Sequence, residues 1–231
     1  MNKGILYGVG VGPGDPELLT LKAVRILKEA DIIAVPDKGA GEQTALTIVK
    51  DYIEGKERVN CAAPMTRDPV RLEESYQANA DRLCALLDQG KNVAFITLGD
   101  PTVYSTYMYT HKKVLERGYT ARLIPGVPSF CAVAARLNTS LCEGSDRLLV
   151  VPASYEHLEE SLDVRANKVL MKAGKSIGEL QEALRRRGEL DRASLVENCG
   201  MENERVYQRF AGMEEKTGYF SVVLVKDGGQ A

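Results

Sequence analysis

The strongest constraint on this chain is an alternation: a short apolar run, a glycine or proline corner, then a stretch with helical spacing. Ile5 to Val11 is β-branched, punctuated by glycine, and ends in Gly12-Pro13-Gly14-Asp15-Pro16. Asp15 suits an N-cap, Pro16 the first helical position, and Glu17 the positive end of a helix dipole. Leu18, Leu19, Leu21, Val24, Ile26 and Leu27 then give an apolar face running to about Ala30. Asp31 to Val35 closes at Pro36, and Thr44 to Tyr52 reads as a helix. Pro69 to Gln89 is a longer, charged helix ending at Gly90. Asn92 to Thr97 runs into Leu98-Gly99-Asp100-Pro101, followed by a helix over Ser105 to Arg117 that Gly118 ends. Ala121 to Ile124 stops at Pro125-Gly126, before a small-residue helix over Ser129 to Leu137. Such alternation predicts an α/β domain with a mostly parallel sheet and right-handed crossovers.

Beyond residue 140 the strand content rises. Arg147 to Pro152, Lys168 to Lys172, Ser194 to Glu197, Arg205 to Arg209 and Tyr219 to Lys226 read as strands, with helices over His157 to Leu162 and Ser176 to Arg187. A mixed sheet is expected there. The 231 residues exceed the roughly 100–150 of one typical domain. Two α/β lobes follow as the expectation, 1–140 and 141–231, with no low-complexity linker between them.

Charge and cysteine usage narrow the function. Thirty basic against thirty-two acidic side chains leave a net charge of −2, without the basic surplus that phosphate neutralisation asks of a nucleic-acid binder. Cys61, Cys84, Cys131, Cys142 and Cys199 form an odd set with no C-x-x-C pair, which suits reduced thiols and no protein-built metal site. Of two histidines, His111 lies in a polar helix beside Lys112-Lys113 and is expected to face solvent; His157 lies in a Glu-rich helix. Met1 to Gly12 lacks the apolar core of a signal peptide, and no stretch approaches the ~20 apolar residues of a membrane span. A soluble, cytoplasmic chain is expected.

Three corners, Gly12-Pro13-Gly14, Gly99-Asp100-Pro101 and Pro125-Gly126, each follow a strand and precede a helix. In an open α/β sheet, ligands lie beyond the carboxyl ends of the strands, where such corners gather. Each corner alone is also an ordinary βα turn. Gly8-x-Gly10-x-Gly12 resembles a phosphate cradle, but Pro13 stands where the third glycine of G-x-G-x-x-G is needed, and no G-x-x-x-x-G-K-[ST] occurs. Proline removes an N–H that would hold pyrophosphate, so NAD and ATP are disfavoured.

Val11-Gly-Pro-Gly-Asp-Pro-Glu-Leu-Leu-Thr-Leu-Lys-Ala23, with Ala30-Asp31 and Pro36 after it, resembles the opening signature of the tetrapyrrole methylases. Thr97-Leu-Gly-Asp-Pro-Thr-Val-Tyr-Ser-Thr106 and Ile124-Pro-Gly-Val-Pro-Ser-Phe130 resemble that family's second and third motifs, in the expected order. The likeness extends to Tyr219-Phe220-Ser221. Pro64 to Asp68, Tyr104-Ser105-Thr106, Ala132 to Leu137 and Met171-Lys172 are similar to the branch that methylates carbon 20 of precorrin-2 or its cobalt complex.

The resemblance implies a homodimer that binds S-adenosylmethionine in the cleft between the two lobes. By position, Pro13, Leu98, Gly99, Asp100, Val103, Ser105, Thr106, Pro128, Ser129, Met171 and Lys172 would border the cofactor. The acceptor carbon is already electron-rich; it gains a methyl group and then sheds a proton. Asp100 is the first candidate base and Tyr104 a donor or orienter, while Asp100 can equally hold the ribose or cap the next helix. The substrate's many carboxylates ask for scattered cations, and Lys38, Arg67, Arg136 and Arg147 lie near loops on the expected side. Arg185-Arg186-Arg187 is explained by its helix C-terminus alone. Other acceptors on the same fold, including a diphthamide precursor or rRNA, and a non-catalytic nucleotide-binding module, stay as alternatives.

Overall fold

The computed structural model describes residues 3–37, 44–153, 158–213 and 217–228. The chain forms two compact units, Met1–Pro128 and Ser129–Ala231. The first contains β1 (Leu6–Gly10), α1 (Leu21–Glu29), β2 (Ile32–Asp37), α2 (Thr44–Val49), β3 (Glu57–Ala62), α3 (Pro69–Asp88), β4 (Val93–Thr97), α4 (Tyr107–Glu116) and β5 (Ala121–Ile124). Its sheet runs β3-β2-β4-β1-β5 and every pairing is parallel.

Parallel strands are buried on both faces, so successive residues of one strand feed two cores. On one face Val9, Ile33, Val35 and Ile96 pack with Ala23, Ile26 and Leu27 of α1 and Ile48 and Val49 of α2. On the other, Leu6, Ile32, Ala34 and Phe95 pack with Leu83 and Leu87 of α3 and Tyr107 and Val114 of α4. The unit is therefore three-layered, α/β/α.

Local chemistry sets the helix starts. Asp15 accepts the Glu17 N–H at 2.8 Å, but it caps only a single 3-10 turn, Pro16–Leu18. The α-helix starts afresh at Thr20, whose Oγ1 accepts the Ala23 N–H at 3.1 Å. Asp68 caps α3 through the Val70 N–H at 3.0 Å, with Pro69 in the first position.

Two sequence expectations are corrected here. Strand β3 was not anticipated, because only Val59 and Cys61 of Glu57–Ala62 turn inward; the other residues face outward on an edge strand. His111 does not face solvent. Tyr107, Thr110, His111 and Val114 form the inward stripe of α4 at helical spacing, and His111 Nδ1 lies 2.9 Å from the Tyr107 hydroxyl. His157 lies outside the described residues.

The second unit contains α5 (Ser129–Arg136), β6 (Leu148–Pro152), α6 (Leu158–Leu162), β7 (Asn167–Met171), α7 (Ile177–Arg186), β8 (Ala193–Glu197), β9 (Arg205–Tyr207) and β10 (Ser221–Val225). The order is β6-β7-β10-β8-β9; β6 and β7 pair in parallel and the other pairs are antiparallel. This is the expected mixed sheet. Leu162, Ile177, Leu180 and Leu184 of α6 and α7 cover Val151, Leu170, Leu195 and Val223. Helix α5 packs beside β10 and is grouped with this unit.

Candidate active site

Strand order locates the first crevice. Strands β1 and β4 are neighbours, yet α1, which follows β1, lies on one face and α4, which follows β4, on the other. Their outgoing connections diverge, leaving an opening at the carboxyl ends of these two strands. Both connections have glycine as their second residue. Gly12 and Gly99 have φ of 76° and 69°, which disfavours a side chain bearing Cβ. They exchange two backbone hydrogen bonds, Gly12 N–H to Gly99 O at 3.2 Å and Gly99 N–H to Gly12 O at 2.7 Å.

The third corner is drawn into the same place. A Cβ on Gly126 would stand 2.2 Å from Gly99 O, and one on Gly10 would stand 2.6 Å from Gly126 N. The three corners are therefore in backbone contact, and no side chain fits between them. Asp100 fastens the arrangement: it is buried, its Oδ2 accepts the Gly126 N–H at 3.0 Å, and its Oδ1 accepts the Thr102 N–H at 2.7 Å and the Thr102 hydroxyl at 2.5 Å. Both carboxylate oxygens are engaged within the unit. Thr20 adds a link from α1, its Oγ1 donating to Pro125 O at 3.4 Å.

Thr20 and Thr102 were not singled out from sequence. The Asp-x-Thr spacing of Asp100 and Thr102 is a signal for such a turn, since Asp side chains bond the backbone two residues on.

Around this knot, Leu98 packs on the α1 core, Pro13 is buried and Val103 is half-buried. Ser105 is used internally: its Oγ is 2.9 Å from Thr97 Oγ1 and accepts the Tyr107 N–H at 3.3 Å. Thr106 is exposed and leads into α4 without a side-chain cap. Tyr104 is 46% exposed, with φ of 49°. A left-handed backbone costs a residue with Cβ about 1–2 kcal/mol, and such strain gathers at functional positions.

Of the expected cations, Lys38 lies outside the described residues, and Arg67 and Arg147 are exposed. In the second unit, Arg136 Nε is 2.5 Å from Glu204 Oε1. Partial burial pushes the Glu204 carboxyl up, but the Gly200 N–H and the Arg136 guanidinium outweigh it and hold the group below the usual carboxylate range. Arg136 already has an anionic partner. Ser129 opens α5 and Pro128 precedes it, both half-buried. Met171 ends β7, and Lys172 follows in the left-handed region at φ 58°, its Nζ 6.0 Å from the Tyr219 ring centroid.

A glycine-lined switch point with proline in its loops, and no phosphate-binding glycine run, now meets an independent finding. The family model for tetrapyrrole (corrin/porphyrin) methylases matches residues 5–212. The chain belongs to that family. This methylase is 37% identical over 232 residues to a probable cobalt-precorrin-2 C(20)-methyltransferase of Methanocaldococcus jannaschii, covering 98% of each chain. It is 32% identical to the precorrin-2 C(20)-methyltransferase of a Sinorhizobium species, covering 96% of this chain and 95% of that one. Its fold matches the uroporphyrin-III C-methyl transferase of Thermus thermophilus, solved with S-adenyl homocysteine, at a TM-score of 0.71 and 23% identity. That match covers 96% of this methylase and 97% of the other chain.

Proposed function

We propose that this methylase transfers a methyl group from S-adenosylmethionine to carbon 20 of precorrin-2 or cobalt-precorrin-2, a step of cobalamin biosynthesis. The likeness, over nearly the whole chain, to relatives named for that reaction carries the reading.

The first crevice fits the cofactor. A Cβ on Gly99 would meet nothing within 4 Å, so one side of the corner is open although Gly10 and Gly126 close the other. The ring of residues 10–14, 98–103 and 125–126 offers backbone dipoles, and its one carboxylate, Asp100, is turned inward. When bound, S-adenosylmethionine supplies a methyl group on a positively charged sulfur, whose charge is lost as the bond breaks. Fixed dipoles suit a vanishing charge better than an exposed anion that would hold the starting state.

In this reading Pro13, Leu98, Gly99, Val103, Ser105, Thr106 and Pro128 of the first unit and Ser129, Met171 and Lys172 of the second border the cofactor. Asp100 is a positioning residue: its carboxylate locks the Gly126 corner against the Gly99 corner, which leaves it poorly placed to accept a proton. Tyr104, exposed beside the crevice, orients the acceptor, and the proton shed by the methylated carbon passes to water. Rigid placement of the reacting atoms at about 3–3.5 Å supplies most of the acceleration. Arg67, Arg147 and Lys38 are the cations proposed for the substrate's carboxylates; Arg136 joins them only on leaving Glu204. Family likeness supports a homodimer working in the cytoplasm on a small molecule rather than on nucleic acid.

Calorimetric titration with S-adenosylhomocysteine, NAD and ATP, followed by the mass of precorrin-2 incubated with and without cobalt, tests this. The expected result is binding of S-adenosylhomocysteine alone and a mass gain of one methyl group. A preference for NAD or ATP, or an unchanged substrate mass, contradicts it.

A further inference from the structure

Glu197 ends β8 and is 3% exposed, although it is charged. It lies directly across from Arg205 of β9 and from Ser221 of β10, the two neighbours of β8. Its Oε2 accepts Arg205 Nε at 2.7 Å and NH2 at 2.5 Å, and its Oε1 accepts the Gly218 N–H.

Gly218 belongs to the turn Thr217 to Phe220, which leads into β10. Thr217 Oγ1 is buried with no hydrogen-bond partner among the described residues, and contacts from other elements hold the turn. Glu197 holds one side. Gly174 holds the other, since a Cβ there would stand 2.0 Å from Gly218 O. Asn198, itself left-handed at φ 52°, donates its N–H to Phe220 O at 3.0 Å, and Ser221 Oγ donates to Gly218 O at 2.8 Å. The turn presents Tyr219 over Lys172, the strained residue that follows β7.

An ion pair with one partner in solvent adds little free energy of its own, and Glu197 is buried while Arg205 is 39% exposed. Here the geometry fixed is that of two residues facing each other across adjacent strand ends.

We infer that Glu197, clamped by Arg205, is a positioning residue for cofactor binding: it holds the Gly218–Tyr219 turn in register with Met171 and Lys172, so that this edge is preformed for the cofactor. The inference rests on the reading above that Met171 and Lys172 border the cofactor. With both oxygens engaged by Arg205 and Gly218, Glu197 acts on the affinity for cofactor and leaves the methyl-transfer step unchanged.

The test compares the wild-type chain with Glu197→Ala, Glu197→Gln and Arg205→Gln, by calorimetry with S-adenosylhomocysteine and by steady-state kinetics. Glu197→Ala is expected to weaken binding and raise KM for S-adenosylmethionine by about tenfold, the loss of one hydrogen bond to a charged group, with kcat changed less than about twofold. Glu197→Gln keeps an oxygen for the Gly218 N–H and is expected to recover binding to within about threefold of wild type. Should Glu197→Ala fail to fold, Arg205→Gln decides, because Arg205 is more exposed and its loss leaves the turn contact intact but loosened; about threefold weaker binding is expected. Unchanged affinity in folded Glu197→Ala, or in Arg205→Gln where that variant decides, overturns the inference. So does a fall in kcat without a change in affinity. If the wild-type chain itself binds no S-adenosylhomocysteine, the methylase reading fails instead, whatever the variants do.

Discussion

At the scale of single residues, the site depends on what is missing from three glycines. Gly10, Gly99 and Gly126 let three loop backbones touch, and Asp100 spends both its oxygens keeping them so. Gly126→Ala is expected to separate the second and third corners, because its new methyl group would stand 2.2 Å from Gly99 O, a backbone atom that cannot rotate away. Overpacking of this kind costs about 1–3 kcal/mol. A misplacement near 1 Å at a reacting centre costs on the order of a hundredfold in rate. Thermal melts and methyl-transfer rates should therefore both fall, the rate by far the more. Gly178→Ala is the control: it lies in α7 with nothing near its Cβ position, and is expected to raise stability by roughly 0.5–1 kcal/mol at unchanged rate. A Gly126→Ala chain of normal activity would show that the corners do not shape the site.

At the scale of elements, α4 shows how a polar sequence can conceal an inward face. Burial pushes the His111 imidazole below its ordinary value. The unfolded chain therefore takes up the proton first as pH falls. The stability given by neutral His111 is complete above about pH 6.5 and is lost as pH drops through the folded value. His111→Asn keeps a partner for the Tyr107 hydroxyl and cannot titrate in this range. Its melting temperature should vary less than wild type's between pH 7.5 and 5.5, and an equally steep loss would contradict the buried, neutral assignment. The same helix explains why its inward face was hidden in the sequence: His111 beside Lys112 and Lys113 resembles a solvated face, and only the spacing to Tyr107 and Val114 shows otherwise.

At the scale of the whole molecule, the two sheets and their types were legible because strand and helix periodicities alternate cleanly and glycine or proline marks nearly every junction. Strand β3 was not, since an edge strand needs only Val59 and Cys61 inside, too few to stand out among Glu57, Arg58 and Asn60. The packing of α5 beside β10 was not legible either, since its small apolar face suits either unit. The corners of the site could be named from sequence, but not their meeting, because Asp100 and Gly126 are joined across 26 positions by a hydrogen bond that no local pattern encodes. The clamp on Glu197 escaped for the same reason, its partners Arg205 and Gly218 lying on other elements. The central claim, that this methylase methylates one carbon of a corrinoid precursor, is met most directly by one experiment. Precorrin-2, with and without cobalt, is incubated with the protein and S-adenosylmethionine carrying a carbon-13 methyl group, and the product is examined by NMR. A single labelled methyl group on carbon 20 is the expected result; a label on any other carbon, or none, would contradict the account.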